Sequence, residues 1–168
     1  MSRACAAARL ACDRSATRSG RSWSATLSGW RTRRGGRLTR RYPVNLCGSR
    51  LQRCLLASLE VRPDDAIVRK RSCDAFLDTT LEAVLRESGI DRLIITGCAT
   101  DYCVDTTVRA ALARGWPTVV PADGHTTADR PHLSAAQIIA HHNAIWADFL
   151  APKGPAQVCL CAEIRLST

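Results

Sequence analysis

Cys103 is the side chain with the clearest chemical setting. An apolar run, Leu93-Ile94-Ile95-Thr96, leads into Gly97-Cys98-Ala99-Thr100-Asp101-Tyr102-Cys103-Val104. The loop places Cys103 where a strand-to-helix connection becomes the first turn of a helix. Unpaired N–H groups at such an end carry partial positive charge, which favours a thiolate and lowers the thiol pKa. The same N–H groups can receive a carbonyl oxygen as it turns into an oxyanion. Position alone leaves a second reading open, a small thiol buried at a helix start. Asp101 and Asp105 flank the cysteine and read as helix-start carboxylates rather than acid–base groups. Tyr102 is a candidate for lining a substrate pocket, or else a packed aromatic. His125, in Asp123-Gly124-His125-Thr126, follows the carboxyl end of a second strand and is a candidate for the pocket or a surface-loop histidine. His142 falls on the apolar stripe of the last helix, as a core or subunit-contact residue, with His141 beside it towards solvent. Adjacent helical residues do not face the same way, so the pair is a poor metal site.

The elements that must position Cys103 are legible from about Pro63 onward. Asp64-Asp65-Ala66-Ile67-Val68-Arg69-Lys70 reads as a turn entering a short strand. Phe76, Leu77, Leu81, Val84 and Leu85 recur at helical spacing, with Thr79 and Glu82 as a capping box and Gly89 as the stop. The Leu93–Thr96 run has the look of a buried parallel strand. A helix follows over Val104–Arg114 with Gly115 as its stop, then a strand, Thr118-Val119-Val120, closed by Pro121 and the Asp123-Gly124 turn. The last helix begins near Ser134, Gln137 completes a capping box, and its stripe is Ile138, Ile139, Ile145, Trp146, Phe149 and Leu150. Strands alternating with helices imply βαβ units on a parallel sheet, hence an α/β fold with right-handed crossovers. Two or three strands make a thin sheet, so its N-terminal strands are expected to be missing or aberrant.

The chain has 168 residues and a net charge of +9, and it holds no run of eighteen apolar residues that would span a membrane. The charge is unevenly spread. Residues 1–62 hold fourteen Arg, no Lys and two acids, Asp13 and Glu60, whereas residues 63–168 carry a balance of −3. The first segment is rich in Arg, Ser, Ala and Gly and lacks sustained periodicity at 2 or 3.6. Three readings stand for it: a basic nucleic-acid arm centred on Arg31, Arg33, Arg34, Arg37, Arg40 and Arg41; an organellar transit peptide; or text from a wrong reading frame, which its composition favours. Nine cysteines are many, but no C-x-x-C occurs and no secretory h-region is visible. A disulfide scaffold and a zinc site are therefore not expected, and Cys159-Leu160-Cys161 reads as incidental.

The segment Gly97-Cys98-Ala99-Thr100-Asp101-Tyr102-Cys103-Val104, followed by a helix and Val119-Val120-Pro121-Ala122-Asp123-Gly124, resembles the cysteine hydrolases of the isochorismatase-like superfamily. Upstream, Ile67-Val68-Arg69-Lys70-Arg71-Ser72-Cys73-Asp74-Ala75-Phe76 is similar to the lysine segment of the same family. The likeness runs from about Pro63 to Leu150. It implies a Rossmann-like three-layer α/β/α fold with a six-stranded, mostly parallel sheet and an Asp–Lys–Cys triad. Cys103 matches the nucleophile and Lys70 the lysine beside it, and a cation near a thiol favours the thiolate. The resemblance also implies a cis peptide at Cys98–Ala99 that aims the N–H groups of Ala99 and Cys103 at the oxyanion. The family's aspartate lies on a first strand ending Asp-x-Gln, and no such run occurs here. Asp13 is the one nearby upstream Asp and lacks the Gln.

The resulting expectation is a hydrolase domain over residues 61–152, preceded by the Arg-rich segment 1–60 and followed by a tail, 153–168. Its reaction would be cleavage of a small amide at the C–N bond through a thioester, impaired by loss of the aspartate. The loop Ala99-Thr100-Asp101-Tyr102-Cys103-Val104 is reminiscent of nicotinamidases, which makes a nicotinamidase-type amidase the runner-up. From a different class comes an inactive α/β module that persists as a binding or oligomer-forming protein. No cofactor or metal is expected. The expected partners are an amide substrate and further copies of the chain, with no membrane and no nucleic acid, in the cytoplasm.

Overall fold

A computed structural model of the chain describes residues 4–12, 23–27, 44–46 and 66–165. The Arg cluster from Arg31 to Arg41 and the triad candidate Asp13 lie outside the described residues. The central strand is β5, Ile90–Cys98. Its inner residues are apolar and β-branched, as suits a strand covered on both faces. Leu93 and Ile95 enter one core cluster while Ile94 enters another on the opposite face, as alternation of side chains along a strand requires.

Around β5 the strands β1 (Ala4–Cys12), β2 (Trp23–Leu27), β6 (Thr118–Pro121) and β8 (Gln157–Cys159) order as β2-β1-β5-β6-β8, and a short β7 (His125–Thr126) pairs with β5. All pairings in this six-stranded sheet are parallel except β1 with β2. The fold is α/β with a mostly parallel sheet. Two of its strands, β1 and β2, come from the N-terminal segment, whose composition gave no sign of them. The tail contributes as well: Val158 and Cys159 pair with Val120 and Pro121, so the C-x-C segment enters the sheet at its first cysteine. A second, two-stranded parallel sheet joins β3 (Val44–Leu46) to β4 (Val68–Lys70), with Leu46 opposite Lys70.

The larger core cluster lies between the sheet and the helices α1 (Leu81–Glu87), α2 (Asp105–Ala113) and α3 (Ala135–Ala147). Trp146, Val104, Val108 and Leu85 are fully enclosed in it, and each contributes about 1.5–3 kcal/mol or more by leaving water. Helix α3 starts as its sequence implies: Ser134 and Gln137 cap reciprocally. Its stripe is narrower than the pattern suggests, since Ile138 and Trp146 are buried while Leu150 is 97% exposed. Helix α1 departs from expectation. Thr79 gives its hydroxyl to the carbonyl of Ala75 and accepts from Leu81 N–H, no side chain caps the helix, and Phe76 and Leu77 precede it.

Two glycines fix where the chain leaves the sheet. Gly97 takes φ +129°, which side-chain-bearing residues rarely adopt, and donates its N–H to the Gly124 carbonyl at 2.9 Å. A Cβ on Gly124 would stand 2.7 Å from Pro121 Cβ, so only glycine permits that approach.

Candidate functional site

Strand β5 ends at Cys98, the peptide Cys98–Ala99 is cis, and Thr100–Val104 then form a single π turn. Both Tyr102 N–H and Val104 N–H donate to the Ala99 carbonyl at 3.1 Å. The turn widens to carry Cys103 inward before α2 begins at Asp105. Cys103 is 1% exposed.

Lys70, the last residue of β4, is 3% exposed. Its ammonium donates to the carbonyl of Cys73 and interacts electrostatically with the Cys103 thiol nearby. A lysine with so little solvent loses hydration, and burial lowers it from 10.5 to about 8 although Cys103 and Cys73 pull it upward. The Cys103 thiol departs from the sequence expectation. Burial pushes it up to about 12, and the opposing pull of Lys70 does not make up the difference. Desolvation outweighs the helix-end effect, so the resting pair near neutral pH is a protonated thiol beside an ammonium.

Cleavage chemistry at this thiol needs a proton acceptor. The acids nearest in sequence are engaged elsewhere. Asp101 accepts from Thr127 at 2.6 Å and from Arg130 at 2.8 Å. Burial raises its carboxyl, but these hydrogen bonds hold it below the usual carboxylate value. Asp105 accepts from Arg109 at 2.8 Å and from the Trp146 indole at 2.9 Å. Both are therefore structural carboxylates. Asp13 follows directly after β1 in the chain but lies outside the described residues.

Behind the loop runs a buried polar chain. The Thr100 hydroxyl is 2.9 Å from His125 Nδ1, and His125 Nε2 is 2.9 Å from Asn143 Oδ1. Asn143 Nδ2 donates to the Ala122 carbonyl at 3.3 Å, which turns its oxygen towards the histidine and makes Nε2 the protonated nitrogen. Nδ1 is then the acceptor for Thr100. Burial lowers the pKa of His125, which keeps the ring neutral. The ring is 6% exposed, and both nitrogens are engaged with the loop that carries Cys103 and with α3. Tyr102 is 38% exposed beside Cys103, with the Arg130 guanidinium 5.1 Å from its ring centre. His142 is half-buried, bonds the Ile138 carbonyl through Nδ1 at 2.9 Å, and packs against Trp146. The residues that sequence reasoning missed are Cys73, Thr100, Thr107 and Asn143; each is an ordinary polar or thiol side chain with no spacing that announces it.

No group of three or more metal-ligating side chains occurs among the described residues. A hollow lined by Arg92, Ile94, Val119, Gln157, Glu163, Ile164 and Arg165 lies across the sheet from Cys103, since Ile94 and Val119 belong to the opposite face.

The family model of the isochorismatase domain matches residues 40–146, which include the lysine segment, the π turn and α2. The chain belongs to the isochorismatase family. Streptothricin hydrolase from Streptomyces noursei is 40% identical over 73 residues, 44% of this chain and 29% of that protein. Ureidoacrylate amidohydrolase from Variovorax paradoxus is 40% identical over 57 residues, 34% of this chain and 23% of that protein. A cysteine hydrolase from Pseudomonas syringae pv. phaseolicola, known by crystal structure, superposes with a TM-score of 0.61 at 27% identity, covering 66% of this chain and 52% of that one. This isochorismatase-family chain thus spans less than a third of those two curated relatives and about half of the solved structure.

Proposed function

We propose that this isochorismatase-family protein is a cysteine hydrolase that cleaves a small-molecule amide at its C–N bond. The observation that carries the reading is the buried contact of Lys70 with Cys103 at the carboxyl end of β5. Ligands of parallel α/β sheets bind at that end. Cys103 Sγ attacks the amide carbonyl, and the N–H groups of Ala99 and Cys103 receive the oxyanion. Collapse of the tetrahedral intermediate expels the amine with a proton and leaves a thioester, which water hydrolyses. Lys70 stabilises negative charge as it develops on sulfur. The proton acceptor is a carboxylate, and Asp13 is the candidate. Tyr102 borders the entrance to the site, with Arg130 fixing its ring. Relatives named for amide hydrolysis support this class of reaction. We also assign the catalytic unit to residues 61–152, a self-associating state to the chain, and the cytoplasm as its place. Among the described residues no helix is long and apolar enough to cross a membrane.

The test is ammonia or amine release over a panel of small amides, nicotinamide included, with intact-mass trapping of the acyl enzyme. Turnover that disappears in Cys103→Ala, with an acyl adduct on the Cys103 peptide of the parent protein, is the expected result. Turnover that survives Cys103→Ala refutes the mechanism. A second reading, an inactive module, is favoured by one observation: the thiol is held protonated and both neighbouring acids are engaged. It predicts no adduct and no turnover across the panel.

A further inference from the structure

Cys103 is not the one thiol at this site. The Cys73 thiol lies near the Cys103 thiol and interacts with it electrostatically, and both cysteines are free. Cys73 is held there by its own backbone. Its carbonyl accepts from Lys70 Nζ and also from the Thr107 hydroxyl at 3.2 Å. Thr107 in turn accepts from Ala75 N–H at 3.2 Å. Thr107 lies one helical turn beyond Cys103, so the Cys73–Ala75 segment is tied to the same helix that carries the nucleophile position. Cys73 packs against the core cluster that contains Cys103 but is only half-buried, whereas Cys103 is enclosed. Proposed catalysis uses one sulfur and gives the second no work.

We propose that Cys73 and Cys103 form a dithiol modification site that a peroxide closes to an intramolecular disulfide. The partly exposed sulfur of Cys73 attacks a peroxide oxygen. The O–O bond breaks, water or an alcohol leaves, and Cys73 becomes a sulfenic acid, oxidised by two electrons. The sulfur of Cys103 then attacks that of Cys73, forming the S–S bond. The S–O bond breaks, and the hydroxyl leaves as water with the Cys103 proton. Lys70, a cation near Cys103, stabilises the charge that builds on the attacking sulfur. The peroxide is consumed stoichiometrically and a dithiol reductant restores both thiols. Because the bond uses up the nucleophile position, the modified protein has no thiol available there.

The experiment treats the full-length chain with hydrogen peroxide at near-stoichiometric ratio, blocks remaining thiols, and maps peptides without reduction. Readout is by mass, so the outcome does not depend on whether the chain hydrolyses amides. The expected product joins the Cys73 peptide to the Cys103 peptide with loss of two hydrogens, fragmentation distinguishing Cys103 from Cys98. Dithiothreitol reverses it, and the link loses its dominance over other pairs when the chain is oxidised in urea. Cys73→Ser loses the link. Dominant pairing of either thiol with another cysteine, sulfinic acid at Cys103 with Cys73 still a thiol, or equal linking in urea overturns the proposal.

Discussion

Replacing Lys70 by Met separates the cost of burying a cation from the benefit of having it beside a thiol. Lys70 is 3% exposed, and burial brings it from 10.5 to about 8. Between those values the unfolded chain binds a proton that the folded chain does not, so stability rises with pH. At about 1.4 kcal/mol per unit the full difference is roughly 3 kcal/mol. Below about pH 8 both states hold the proton and the folded protein bears the whole cost. Methionine fills similar volume and does not titrate. The stability of Lys70→Met relative to the parent should therefore be highest near pH 7 and fall by roughly 2–3 kcal/mol by about pH 10. Cys103 remains protonated in both folded forms over that range, so its own titration cancels in the comparison. Urea unfolding at several pH values reads the gap. Alkylation of Cys103 by iodoacetamide should meanwhile slow by roughly tenfold or more, because the cation that favours thiolate is gone. A gap that stays constant or widens with pH would refute the picture of a desolvated lysine.

Two further outcomes follow from the packing around the loop. His125→Ala should cost about 1–3 kcal/mol by leaving the Thr100 hydroxyl without its acceptor. It should also reduce the acid sensitivity of the fold. The lowered pKa of His125 means that stability is full above about 6.5 and falls as pH drops towards its folded value, which pH-resolved urea melts will show as a flatter acid limb in the variant. Trp146→Ala, at a fully enclosed ring that donates to Asp105, should cost about 3–5 kcal/mol in the same assay.

The parts of the fold written in local pattern were legible. Leu93–Thr96, Thr118–Val120 and the Ser134–Gln137 capping box each declare themselves through apolar runs or cap chemistry that needs no distant partner. Strands β1, β2 and β3 were not, because an Ala-rich run and two short segments carry no sustained alternation and acquire strand geometry through their partners, β5 for β1, β1 for β2 and β4 for β3. Lys70 and Cys103 were matched by their motifs, but the direction of the thiol's pKa was not. A helix-end argument sees the local dipole, whereas burial by Val104, Val108 and Ile95 depends on the assembled core. Thr100, His125 and Asn143 likewise meet only when three separate segments close, and nothing in their spacing records it.

The π turn at Thr100–Val104 bears on how this region tolerates changes in length. A π turn is an α turn that has absorbed one residue, here closed from Val104 N–H to the Ala99 carbonyl. Deleting Thr100, Asp101 or Tyr102 would let the turn close at α pitch and would shorten the path from the Ala99 carbonyl to Cys103 by one residue. Cys103 would then be displaced relative to Lys70 with both side chains still chemically intact. Residue number between β5 and α2 is thus as strict a constraint as residue identity. Engineering here should proceed by substitution, with insertions and deletions kept out of the turn.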